Sequence, residues 1–236
     1  TCNGLEWQIS EGGGRIVEDD NTISVNNPQA IRAWQRAARW VGSISPPGVI
    51  AHAKWDAQNI WFSGKAAFFR GWESDYSLIT LHKPPGNTTQ FGVTSVPGGR
   101  AGRASILGGN GLAVSRNSAH PREAVELIRF LRRRDAQLMR ATKHSEPPKE
   151  LELYELPSVL DPYPQLAKLR QHGGVVMARP SIVAGQKYEE VSRAYIRAVH
   201  SVLTGEKIPS VVAAALEKEL VEITGFKTGP PSSRDP

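Results

Sequence analysis

The four-residue apolar run Ala66 to Phe69 lies between Gly64 and Gly71, and beyond it stand Trp72, Glu73, Asp75 and Tyr76. A run this short, bounded by glycine, reads as a buried strand. Gly71 carries no side chain to crowd whatever Trp72 meets. A strand that stops and presents an indole, two carboxylates and a phenol at its tip suits a small-molecule contact in an α/β scaffold. The same residues also suit an indole that plugs a core, and the stretch alone leaves both readings open.

The rest of the chain narrows the choice. At 236 residues it has room for one large domain or two small lobes. No apolar run reaches the roughly 18 residues of a membrane span. Cys2 is the only cysteine, which excludes an intrachain disulfide and a cysteine-based metal cluster. The net charge of +6 permits attraction to anionic surfaces, but lysine and arginine are spread over segments that also carry glutamate. Arg132-Arg133-Arg134 closes an amphipathic segment, where cations suit a helix dipole. No basic stretch is interleaved with aromatic residues, so nucleic acid is not an expected partner.

Turn and cap signals then set out the elements. Glu11-Gly12-Gly13-Gly14 is a glycine break after Glu6-Trp7, without the Lys-Ser/Thr of a phosphate-binding loop. Ile16 to Val25 reads as a short hairpin around Asp19-Asp20-Asn21. Asn27 caps a helix with Pro28 at its first position, and Ile31, Trp34, Ala38 and Val41 share one face, so Trp34 is expected in the core. Ser45 to Gly48 is a rigid loop, and Trp55 to Phe62 has helical spacing. A strand is expected at Phe91 to Val96. Two strand pieces are expected around Gly108-Gly109-Asn110-Gly111, within Ser105 to Ser115.

Pro121 opens a helix with Ala124, Leu127, Ile128 and Leu131 as its buried stripe, followed by a short helix from Asp135 to Ala141. Ser145 to Pro164 holds five prolines and reads as a connection. A helical turn is expected at Leu166 to Gln171. Two helices, Glu189 to Leu203 and Pro209 to Ile223, end at Gly205 and Gly225. Residues 226–236 read as a disordered tail.

The chemistry in this pattern is recognition more than turnover. The histidines show no pair at metal-ligand spacing, and no nucleophile elbow or catalytic cysteine context is present, so no metal or cofactor is expected. Glu6, Glu73 and Asp75 offer paired carboxylates that would suit glycoside hydrolysis, the alternative reading. What remains is rings beside polar forks: Trp7 by Glu6, Trp72 by Glu73 and Asp75, and Arg179 near Tyr188. A pyranose has an apolar C–H face that an indole covers, and hydroxyls that take carboxylate acceptors and the guanidinium fork.

In order and spacing these segments resemble the bacterial extracellular solute-binding proteins of ABC sugar importers, the family that includes maltose- and trehalose-binding proteins. The resemblance runs from Thr1 to about Thr224. It rests on Cys2-Asn3 with Glu6-Trp7, Asn26 to Ala30, Ser45 to Val49, and Phe62 to Arg70. Leu107-Gly108-Gly109 with Leu112 to Ser115, His120-Pro121 with Ala124, Arg179-Pro180 and Val202 to Gly205 complete it.

The resemblance implies an α/β fold of two lobes with sugar bound in a cleft between them, and a binding component rather than an enzyme. This chain looks like the C-terminal half to two-thirds of such a protein. The implied division puts residues 1–106 in the second lobe, 107–157 in a hinge crossing and a returning segment of the first, and 158–225 in the second lobe again. Implied ligand contacts are Glu6, Trp7, Trp72, Gly109, Asn110 and Arg179. Trp72 would be the stacking platform, Glu6 and Arg179 hydroxyl partners, and Gly109 a backbone contact. Implied partners are a sugar or oligosaccharide and the permease subunits. The implied location is periplasmic or extracellular, with a lipid anchor if preceding sequence carries one. Many relatives place Trp where this chain has Asn110, and Asn-Trp-Pro where it has Gly71-Trp72-Glu73. Both changes make the expected cleft more polar and less aromatic.

Overall fold

A computed structural model describes residues 1–72, 74–76, 79, 90–144, 146, 148–161 and 174–232. The chain divides into two compact units, one of residues 1–53, 96–108 and 174–236, the other of residues 54–95 and 109–173. These bounds cut the expected 1–106 segment after Ala53. Residues 54–95 form their own contacts, among them Lys54 with Asp75 and Trp61 with Phe91, and they group with 109–173. Among the described residues no helix is long and apolar enough to cross a membrane.

The first unit is built on helices α1 (Cys2–Ser10) and α2 (Pro28–Trp40). The N-cap of α2 forms as its sequence requires: the Asn27 side chain accepts from the Ala30 N–H at 2.9 Å, with Pro28 at the first helical position. Trp34 is fully buried, together with Ala30, Ala33 and Ala37. The turn between Val17 and Ile23 closes with an antiparallel bridge, and Asn21 takes φ 65° at its tip. The expected hairpin is therefore present in its shortest form, and β1 (Thr22–Ile23) follows it.

Strand β2 (Ala104–Ile106) pairs in parallel with β3 (Val175–Met177), with Ala104 opposite Val175 and Ile106 opposite Met177. A second helical pair completes the unit. α8 (Tyr188–Leu203) buries Val191, Ala194, Tyr195, Val199 and Val202, and α9 (Pro209–Thr224) buries Val212, Ala213, Leu216 and Leu220. α9 ends at Gly225 in the left-handed conformation, as the glycine predicts. The short α7 (Ser181–Ala184) leads into α8.

The glycine break allows α1 and α2 to approach. A Cβ at Gly13 would stand 2.6 Å from the Ala30 backbone nitrogen, which no side chain tolerates. Over residues 226–232 the expected disordered tail is corrected, and residues 233–236 lie outside the described residues. β4 (Lys227–Thr228) pairs in parallel with β1, and the Ser232 hydroxyl hydrogen-bonds the buried Glu18 carboxylate. A Pro/Ser-rich composition did not prevent ordering, because the free edge of β1 and a buried acceptor were there to meet it.

The second unit opens with α3 (Lys54–Phe62). The Trp61 ring gathers Phe62, Phe69 and Phe91 at 5.4, 6.4 and 5.4 Å, and Tyr76 meets Phe91 at 5.6 Å. The apolar run Ala66 to Phe69 is not a strand: it is irregular, with Phe68 90 % exposed. Phe91 to Val96 and Leu112 to Ser115 are likewise irregular rather than strands. In each case a short apolar pattern has no ladder partner among the described residues, and Phe69 and Phe91 join an aromatic cluster instead.

α4 (Pro121–Arg132) and α5 (Arg134–His144) form as the caps and spacing predict. The α4 stripe is a second correction, since that helix has no buried residue and Leu127 is 58 % exposed. A buried Gln137 fixes the α5 connection by donating to the Arg132 carbonyl and to Glu150, and by accepting from the Lys149 N–H. α6 (Pro157–Leu160) buries Val159 beside Leu153. The expected turn at Leu166 to Gln171 lies outside the described residues.

One charged cluster contributes pH-dependent stability to the first unit. Glu11, at the end of α1, is buried and meets Arg36 at 2.6 Å, Arg100 at 3.3 Å and Arg32 at 3.5 Å. Burial alone would raise its pKa, but the bonds from Arg36 and Arg32 and the Arg100 charge outweigh it and hold the carboxyl below its ordinary 4.5. A depressed folded pKa contributes stability that is present above the unfolded value and lost as pH falls through the folded one. Thermal unfolding followed between pH 6 and about pH 3 should therefore show a fall below about pH 4.5 that is shallower in Glu11→Gln.

Candidate functional site

In a parallel α/β arrangement the ends that meet ligands are the carboxyl ends of the strands. Here those ends are Ile106 on β2 and Met177 on β3, side by side. Glu6 reaches the first from α1: its buried Oε1 accepts from the Ile106 N–H at 3.2 Å. Two residues past the end of β3, the half-buried Arg179 places its guanidinium 5.9 Å from the centre of the Tyr188 ring. Arg15 donates to the Met177 sulfur at 3.8 Å and also pairs with Asp19. This strand end thus carries one carboxylate anchored to the sheet and one arginine laid on a ring.

Trp7 follows Glu6 on α1 and is half-buried. Its ring stands edge-on to Trp40, 5.7 Å between centres at 86°. Trp40 in turn lies 6.0 Å below the Arg36 guanidinium. The Arg36–Trp40 spacing of four was visible in the sequence as a helical neighbour pair, whereas its contact with Trp7 was not.

In the second unit, Trp72 is 36 % exposed, and the Arg70 guanidinium lies 4.2 Å from its ring centre. Its backbone is fixed by Asp75, whose Oδ2 accepts from the Trp72 N–H at 2.7 Å. The other oxygen of Asp75 accepts from Lys54 at 2.6 Å, and the carboxylate is buried. Asp75 is therefore occupied in holding the Trp72 loop to α3. Glu73 lies outside the described residues. Gly109 takes φ 151° with open space where a Cβ would stand, and Asn110 is exposed. Of the six expected contacts, Glu6, Trp7 and Arg179 thus belong to the first unit, and Trp72, Gly109 and Asn110 to the second. Among the described residues, no group of three or more His, Cys, Asp and Glu side chains is placed to hold a metal ion.

The family model for bacterial extracellular solute-binding proteins matches residues 3–138. The chain belongs to that family. It is 37 % identical over 226 residues to a probable ABC transporter-binding protein of Deinococcus radiodurans, covering 95 % of this chain and 54 % of the relative. Among solved structures, it is similar to a maltose-bound MalE3 of T. maritima with TM-score 0.81 and 29 % identity, over 94 % of this chain and 57 % of that one. It is also similar to the GacH receptor of Streptomyces glaucescens, solved unliganded and with acarbose, with TM-score 0.74 and 25 % identity over 95 % and 57 % of the two chains. The chain therefore spans just over half the length of these relatives, and its α/β fold is that of extracellular solute-binding proteins.

The bond from the Ile106 N–H gives Glu6 a structural duty that can be measured. Glu6→Ala leaves the buried Ile106 N–H without this acceptor and should cost about 1–3 kcal/mol in denaturant unfolding. Glu6→Gln keeps a carbonyl acceptor and should cost clearly less. Equal losses would mean that the β2 tether does not stabilise the unit.

Proposed function

We propose that this chain is part of the solute-binding component of an ABC-type importer, which captures a sugar or oligosaccharide and delivers it to a membrane permease outside the cytoplasm. Glu6, Trp7, Trp72, Gly109, Asn110 and Arg179 are its proposed contacts. The observation that carries this reading is the likeness to a maltose-bound protein over 94 % of the chain at 29 % identity. The residues give it a chemical basis. An indole 36 % exposed offers a face to a pyranose, and Arg179 offers donors beside a strand carboxyl end.

The reading requires no covalent step, and the protein is proposed to have no catalytic activity of its own. Asp75, one of the acids a hydrolase would need, is buried against Lys54 and the Trp72 backbone. A lipid anchor in preceding sequence would hold such a component at the membrane surface.

A thermal-shift screen with mono-, di- and trisaccharides tests this in the protein expressed from its whole reading frame. A ligand at a hundredfold its Kd adds about 2.7 kcal/mol, a shift of several degrees. One sugar class should produce it, and Trp72→Ala should weaken binding about tenfold or more. No shift with any sugar, in a folded protein, would overturn the reading.

A further inference from the structure

We propose that Trp40 is a positioning residue for Trp7, setting sugar affinity by fixing that ring without touching the solute. This rests on the reading that Trp7 meets the sugar. The two indoles come from different helices, α1 and α2, and stand at 86° with centres 5.7 Å apart. That is the edge-to-face geometry aromatic quadrupoles favour.

Trp40 is itself held from two sides. Its backbone carbonyl accepts from the N–H groups of Ser43, Ile44 and Ser45 at 3.1, 3.2 and 2.9 Å, which closes the end of α2 in a tight turn. Gly42 supplies the positive φ of 75° that the turn needs. Above its ring lies the Arg36 guanidinium at 6.0 Å, and Arg36 is tied to the buried Glu11 by a 2.6 Å ion pair. Glu11 belongs to the turn that ends α1, the helix that carries Trp7. The path Glu11–Arg36–Trp40–Trp7 therefore starts at the C-cap of α1 and ends on α1 itself, and it locks the indole to the backbone that positions it. Neither Trp40 nor Arg36 needs to reach the solute.

The physical consequence is pre-organisation. A half-buried indole without the Trp40 edge has rotamers to lose when a sugar settles on it. Ordering one side chain on binding weakens affinity by about 3- to 10-fold.

The test uses the protein from its whole reading frame, labelled with 5-fluorotryptophan, each fluorine resonance assigned by substituting one Trp at a time with Phe. Maltose and maltotriose are the probes. Without ligand, Trp40→Ala should move the Trp7 resonance, and Trp40→Phe, which keeps an aromatic edge, should largely restore it. In titrations, Trp40→Ala should weaken sugar binding by about 3- to 10-fold. Trp40→Phe should stay within about twofold, and Trp7→Ala should lose at least as much as Trp40→Ala.

A Trp7 resonance unmoved by Trp40→Ala would overturn the positioning role, and a moved resonance with unchanged affinity would overturn its link to binding. Sugar binding that leaves the Trp7 resonance of the unsubstituted protein unmoved would overturn the proposal while sparing the importer reading. Absence of any sugar binding would overturn both.

Discussion

The first unit depends on one buried amide. Gln8 of α1 shares its two Nε2 hydrogens among the carbonyls of Gly13, Gly14 and Arg15, at 3.1, 3.2 and 3.0 Å, and its Oε1 accepts from the Tyr195 hydroxyl of α8 at 2.9 Å. Asn27 uses the same corner twice, capping α2 and donating to the Gly13 carbonyl at 3.0 Å. Loop carbonyls buried without such donors would each cost a desolvation penalty of about 1–3 kcal/mol. The glycine break is consequently a fixed corner where three helices meet. Its orientation fixes the direction of α1, and α1 carries Glu6 and Trp7 and is capped by Glu11.

The acids of this chain illustrate how burial redistributes roles. Glu6, Glu11, Glu18 and Asp75 are all buried. Each is bonded to a specific donor: Ile106 N–H, three arginines, Ser24 with the Arg15 N–H, and Lys54 with the Trp72 N–H. A carboxylate so satisfied is a structural anchor, because removing one partner leaves a buried charge or N–H uncompensated. The protein thereby fixes strand ends and loop backbones with charge, and the half-buried Trp7 and Arg179 are left as proposed solute contacts.

Much of this was legible along the chain wherever the signal was local. Asn27-Pro28, Pro121, Pro209 and Gly225 announced helix ends because caps act through neighbouring backbone groups. Trp34 announced the core through its helical face. Pairing across distance was not legible. The run at Ala66 to Phe69 has strand composition but no partner ladder among the described residues, whereas the polar tail found β1. At the candidate site, Arg36 and Trp40 are helix neighbours that the sequence displays. The meeting of Trp40 with Trp7, and of Lys54 with Asp75, depends on tertiary approach and left no mark in the spacing.

The most direct measurement is a crystal structure of the protein from its whole reading frame, grown with the sugar that stabilises it most. The account predicts that sugar hydroxyls lie within hydrogen-bond distance of Arg179 and that a pyranose face stacks on the Trp72 ring. Sugar density bound elsewhere, with Arg179 and Trp72 free of it, would contradict the account.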